Sequence, residues 1–133
     1  MHADHEDNDV EFLKTIIGHV VYYAETVIKG RWSEAEPIIM KDPCWAFKYA
    51  QDVIKGRWPE AEPIIMQDPQ YAYWYARRII KDRWLEAEPT IMKDPRYACW
   101  YARSIKGRWL EAESHIKVDP TTWGEYCKHF GIS

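Results

Sequence analysis

The sequence predicts an all-α fold of right-stacked helix–turn–helix tandem repeats, an α-solenoid or compact helical array, with N- and C-terminal capping helices. Two observations point there. The first is a repeat. Arg-Trp recurs at Arg31–Trp32, Arg57–Trp58, Arg83–Trp84 and Arg108–Trp109, spaced 26, 26 and 25 residues apart. Glu-Ala-Glu follows at 34–36, 60–62, 86–88 and 111–113, and Asp-Pro at Asp42–Pro43, Asp68–Pro69, Asp94–Pro95 and Asp119–Pro120. Tyr-Ala recurs at Tyr23–Ala24, Tyr49–Ala50, Tyr75–Ala76 and Tyr101–Ala102, and the last unit loses its residue between Tyr101 and Arg108. The second observation is that helix starts, helix stops and an apolar stripe fall at fixed places in each unit. A unit this short cannot bury its own apolar face, so neighbours must stack and terminal units must cap.

In chain order, residues 1–7 read as a disordered tail and 8–30 as the N-terminal capping helix. Asn8 with Glu11 is a capping-box pattern. Val10, Leu13, Ile16, Ile17, Val20, Val21, Ala24, Val27 and Ile28 recur at helical spacing. Tandem units fill 31–119. Each opens with a short helix near Ser33, Pro59, Leu85 or Leu110, whose glutamates sit in the first turn, where the macrodipole favours negative charge. Pro37, Pro63 and Pro89 fall inside that helix and each removes a backbone hydrogen bond, which predicts a kink or a distorted first turn. Ser114 stands there in the last unit. The longer helix of each unit starts at an Asp N-cap with Pro at N1. Its stripe in the first full unit is Ala46, Tyr49, Ala50, Val53 and Ile54, and it is predicted to stop at Lys55-Gly56, a basic last turn followed by glycine. Residues 120–133 make the C-terminal cap through Trp123, Tyr126 and Phe130, stopped by Gly131. The 133 residues are read as one domain.

Composition narrows the function classes. Lys and Arg total 18 against 21 Asp and Glu, a net charge of −3, which argues against bulk nucleic-acid binding and against an anionic membrane surface. The 8 Trp and 9 Tyr supply a core, since a buried aromatic covers roughly 150–250 Å². Three cysteines without a CxxC pair make no disulfide framework. No stretch approaches the roughly 20 apolar residues of a membrane helix. The start, MHADHEDNDVEF, is acidic where a signal peptide is basic and then apolar. The chain is expected to be cytoplasmic.

The pattern RWxEAEPxI followed by DPxxAxxYA resembles tandem helical-repeat units that recur in bacteriophage and related bacterial proteins, mostly of unassigned function. The resemblance runs from Tyr22 to about Tyr126; Ser114 and the shortened last unit depart from it. It implies this fold, a phage origin and a role in phage–host interplay. It supplies no catalytic residue and no cofactor.

The residues themselves argue for binding over chemistry. Cysteines at 44, 99 and 127 and histidines at 2, 5, 19, 115 and 129 lack the flanking motifs of a nucleophile–base pair. The glutamates of each EAE lie at i and i+2, which do not face each other on a helix, so they read as helix-start charges rather than an acid–base pair. His2, Asp4, His5 and Glu6 lack the ligand spacing of a structural zinc site. The repeated Arg-Trp reads as glue, Trp stapling onto the next turn and Arg pairing with an EAE glutamate. No enzyme, cofactor or metal site is expected.

The functional signal lies where the units differ. Aligning the Asp-Pro helices groups Cys44/Gln70/Arg96, Lys48/Trp74/Trp100, Gln51/Arg77/Arg103 and Asp52/Arg78/Ser104 at i, i+4, i+7 and i+8, one helical face. The candidate binding residues are Lys48, Trp74, Arg77, Arg78, Arg96, Trp100 and Arg103, with Tyr71 and Tyr97 at the edge. Arg and Trp dominate interface hot spots, so an acidic patch on a protein partner is the first expected ligand. A small anionic nucleotide, held by Arg–phosphate pairs and base stacking, is the alternative. Two further readings stand beside these: Trp74 and Trp100 packed between units, and a purely structural chain that self-assembles into a homo-oligomer.

Overall fold

The structure, a computed structural model, describes residues 2–133, with side chains from Asp9 onward. It is an all-α repeat array among the described residues, and its contacts gather in two compact units, Met1–Ile64 and Ile65–Ser133.

In the first unit, α1 (His2–Tyr23) continues into a π-helical turn at Ala24–Ile28. A 3₁₀ turn at Ser33–Ala35 leads into α2 (Glu36–Ile39), and α3 (Pro43–Tyr49) into a second π turn, Ala50–Ile54. Helix α1 packs on α2 and α3; Ile17 and Val21 of α1 and Ala24 of the π turn are buried, as are Ile39, Ala46, Phe47 and Tyr49. The start of α1 corrects the sequence expectation. Met1 of the expected tail lies outside the described residues, but the backbone is helical from His2, so Asn8 is an interior residue and not an N-cap.

After a 3₁₀ turn at Pro59–Ala61 and α4 (Glu62–Ile65), the second unit repeats the order. Helix α5 (Pro69–Tyr75) runs into the π turn Ala76–Ile80, and a 3₁₀ turn at Leu85–Ala87 into α6 (Glu88–Ile91). Helix α7 (Pro95–Tyr101) runs into the π turn Ala102–Lys106, and α8 (Leu110–Ile116) and α9 (Pro120–Phe130) close the chain. The Asp-Pro starts form as expected. Asp42 accepts from the Trp45 N–H at 3.0 Å, Asp68 from Gln70 at 2.9 Å, Asp94 from Arg96 at 2.9 Å and Asp119 from Thr122 at 3.3 Å. The proline effect is also visible. Pro37, Pro63 and Pro89 separate a 3₁₀ turn from a short α-turn, whereas Ser114, which keeps its N–H, leaves α8 uninterrupted.

The helix stops differ from expectation. The residue that turns left-handed is lysine: Lys29, Lys55 and Lys81 have φ of 59°, 61° and 62°, and Gly56 is not among the positive-φ residues. The π turn is the reason. The Ala50 carbonyl accepts both the Lys55 N–H at 2.7 Å and the Gly56 N–H at 3.3 Å, so the chain must reverse at Lys55 to bring the next N–H back onto the same oxygen. Where the last unit is one residue shorter, Gly107 takes that place with φ 94°.

A repeated lock and a candidate binding groove

What every unit shares is spent on holding the unit together. Arg31 Nε and Nη2 donate to Glu36 Oε2 and Oε1, both at 2.9 Å, the two-pronged geometry that suits guanidinium to carboxylate. The Tyr49 hydroxyl donates to Glu36 Oε2 at 2.6 Å and accepts the Trp32 backbone N–H at 2.8 Å. The arrangement returns in the second unit. Arg83 holds Glu88 at 3.0 and 3.1 Å, and the Tyr101 hydroxyl donates to Glu88 at 2.5 Å and accepts the Trp84 N–H at 2.9 Å. It returns again with Arg108, Glu113, Tyr126 and Trp109. Each lock tyrosine also lies against the next tryptophan, Tyr49 on Trp58 at 4.9 Å and Tyr101 on Trp109 at 5.1 Å between ring centroids. Tyr126 lies against Phe130, at 4.7 Å between ring centroids.

The expected pairing of Arg with an EAE glutamate forms, and the tyrosine hydroxyl that joins it was not foreseen. The first glutamate, at 34, 60, 86 and 111, is exposed and fits the role of helix-start charge; the second is drawn into the lock. Its electrostatics follow. The hydrogen bond from Arg31 holds the Glu36 carboxyl below its ordinary range, and that from Arg108 does the same for Glu113. Burial pushes the Tyr49 hydroxyl up to about 12, helped by its bond to Glu36, and the Tyr126 hydroxyl also to about 12. Tyr101, more deeply buried, is raised further by the same cause. Among the described residues no buried side-chain nitrogen or oxygen lacks a hydrogen-bond partner.

What the units do not share lines a groove of about 470 Å³ in the second unit, formed by Tyr73, Trp74, Arg77, Trp100, Arg103, Ser104 and His129. Helix α5 supplies Tyr73 and Trp74, α7 supplies Trp100, the two following π turns supply Arg77, Arg103 and Ser104, and α9 supplies His129. Tyr73 is the floor: it is buried, with Trp74 at 4.9 Å and Trp100 at 6.2 Å from its ring. Its hydroxyl accepts from Arg77 Nη1 at 2.8 Å. Tyr97 stands edge-on to Trp100 at 5.3 Å, and Trp100 is 37% exposed. The Arg103 guanidinium comes to 4.0 Å from the Glu125 carboxylate.

Four of the seven sequence candidates, Trp74, Arg77, Trp100 and Arg103, therefore meet in one place. Arg78 lies over the Trp74 ring at 4.3 Å, outside the groove lining. Arg96 lies over Tyr97 at 5.6 Å and pairs with Asp94 at 3.5 Å. Lys48 belongs to the first unit, where its ammonium sits 4.6 Å from the Trp45 ring. Sequence reasoning missed Tyr73, Ser104 and His129 as lining residues. Tyr73 shares its repeat slot with Phe47 and Cys99, so its variation was legible, whereas nothing local connects His129 to α5.

The other candidates fall elsewhere. Cys99 is buried, its thiol donating toward the Thr122 carbonyl at 3.9 Å, and burial raises its pKa, which disfavours the nucleophilic thiolate. No group of three or more His, Cys, Asp or Glu side chains that could hold a metal exists among the described residues. The side chains of His2, Asp4, His5 and Glu6 lie outside them. No helix among the described residues is long and apolar enough to cross a membrane. Set against known proteins, the chain matches no family model, no curated protein and no solved structure.

Proposed function

We propose that this chain is a non-catalytic α-helical repeat binding protein, phage-encoded and acting in the host cytoplasm, that docks an acidic segment of a host protein in the groove of its second unit. The observation that carries the reading is the convergence of Trp74, Trp100, Arg77 and Arg103 on one groove of about 470 Å³. None of these side chains belongs to the Arg–Glu–Tyr lock. Half-exposed aromatics beside guanidinium groups are what an interface hot spot is made of: apolar area anchors and charge sets register.

A second reading, capture of a small anionic nucleotide as a sponge for a host immune signal, is supported by the volume, which lies in the range of about 300–1,000 Å³ for small-molecule sites. The Glu125 carboxylate, 4.0 Å from Arg103, offsets part of the attraction for either anion, so it does not separate the two readings; binding does. The test uses Trp100→Ala, expected to retain the melting behaviour of the parent while losing more than about 1 kcal/mol of binding, roughly fivefold, to the partner captured from host extract. Unfolding of Trp100→Ala, or unchanged capture, rejects the groove. A nucleotide that raises the melting temperature of the parent and not of Trp100→Ala transfers the site to the second reading.

A further inference from the structure

We propose a second interaction surface, in the first unit: the outer face of α1 pairs antiparallel with the same face of a second copy of the chain. Phe12, Ile16, His19, Val20, Tyr23 and Val27 recur at i, i+4, i+7, i+8, i+11 and i+15, a stripe beside the buried Ile17, Val21 and Ala24. Phe12 is 67% exposed, Tyr23 47% and Val27 58%. The lock tyrosines that occupy the Tyr23 slot in later units, Tyr49 and Tyr101, are fully buried. Each of those is covered by the Arg-Trp and EAE segment before it, whereas residues 5–10, which hold the corresponding place before Tyr23, carry neither motif. The uncovered stripe borders a groove of about 370 Å³ lined by Ile16, His19, Val20, Tyr23 and Trp32. Apolar groups gathered this way on an outer helix face mark an association site.

The occupant is argued from self-complementarity. A two-fold axis between residues 19 and 20 sets Phe12 against Val27 of the other copy, Ile16 against Tyr23, and His19 against Val20, so each contact occurs twice, as an isologous interface requires. Charge selects the same direction. Asp9 and Glu11 lie toward one end of the stripe and Lys29 at the other. Antiparallel pairing brings Glu11 to Lys29 of the second copy, whereas parallel pairing sets like against like.

The test is sedimentation equilibrium of the full chain over a dilution series. The expected weight-average mass rises toward twice the 15.9 kDa chain mass at the concentrated end. Phe12→Glu, at a site too exposed to disturb folding, is expected to weaken the association at least tenfold. Lys29→Glu weakens it as well, and Glu11→Lys in the same chain restores it, since the pair is then reversed rather than lost. A single-chain mass at every concentration overturns the proposal, as does a dimer indifferent to Phe12→Glu and to the charge reversals. Binding at the Trp74–Trp100 groove is read separately, so failure here leaves the proposed function standing.

Discussion

Removing one oxygen atom tests whether the lock holds the fold. Tyr101→Phe keeps the buried ring and its contact with Trp109 and deletes only the hydroxyl. That hydroxyl donates to Glu88 at 2.5 Å and accepts the Trp84 N–H at 2.9 Å, and Tyr101 and Trp84 are 0% and 2% exposed. Two losses follow. A hydrogen bond to a charged group contributes about 1.5–3 kcal/mol, and a buried donor left without a partner costs about 1–3 kcal/mol. Glu88 keeps its two bonds to Arg83, so the carboxylate is not orphaned and the first loss belongs at the low end. The sum is about 3 kcal/mol. At about 3–5 °C per kcal/mol for a chain of this size, the melting temperature is expected to fall by roughly 10–15 °C in a thermal scan followed by circular dichroism.

Tyr23→Phe is the matched control, because Tyr23 is 47% exposed and residues 5–10, at the place of the Arg-Trp and EAE segment, carry neither motif. It is expected to shift the midpoint by less than about 0.5 kcal/mol, as surface changes do. A Tyr101→Phe midpoint within a degree or two of the parent would show that water or a neighbouring group replaces the hydroxyl. The lock would then be an accompaniment of packing rather than a cause of stability.

Acid should undo the same device. Glu36 and Glu113 have carboxyls lowered below the ordinary 4.5, so their contribution is complete above that pH and is lost as pH falls through the lowered values; Glu36→Gln should flatten part of the decline in a melting series. Base acts with the opposite sign. Tyr49 and Tyr126 are raised from 10 to about 12, so stability is kept below pH 10 and lost through about 12, where absorbance at the phenolate band should report their ionisation together with unfolding. Glycine gives a paired test. At Gly18 an added Cβ would stand 2.7 Å from Trp45 Cζ2, whereas at Gly124 it meets nothing within 4 Å. Gly124→Ala should therefore gain up to about 1 kcal/mol from helix propensity, and Gly18→Ala should lose stability by equilibrium denaturation.

The repeat made most of the fold legible. Asp-Pro fixes each long helix start through short-range chemistry that does not depend on neighbours, and the prolines at 37, 63 and 89 fix the break in each short helix. The departures share one physical origin: hydrogen bonds that sequence spacing does not encode. A π turn moves the left-handed residue from Gly56 to Lys55 because two N–H groups seek one carbonyl. The second EAE glutamate keeps its place in the first turn of the short helix and also enters the lock, because a tyrosine thirteen residues on reaches back to it. The groove was half legible for the same reason. Trp74, Arg77, Trp100 and Arg103 declared themselves by differing between units, but Tyr73 lies in a slot whose other occupants are apolar, and His129 arrives from a helix outside the aligned set.

Separation of the lock from the groove is itself a physical claim, and it can be tested by transplanting the first unit onto the second. Phe47, Lys48 and Gln51 occupy the slots of Tyr73, Trp74 and Arg77. Arg77→Gln alone would strip the Tyr73 hydroxyl of its 2.8 Å donor inside the molecule, so Tyr73→Phe must accompany it, and Trp74→Lys then removes the half-buried ring. The triple variant touches no Arg–Glu–Tyr contact of α6 to α9 and installs residues that the first unit already packs against an identical backbone plan. Its melting temperature should stay within a few degrees of the parent, since Tyr73 is buried but loses its hydroxyl together with the Arg77 donor, and removing both partners of a hydrogen bond is nearly neutral, while ligand capture is abolished. A triple variant that melts far lower would mean that the aromatic face is part of the core of the second unit, and the differences between units would then record packing rather than recognition.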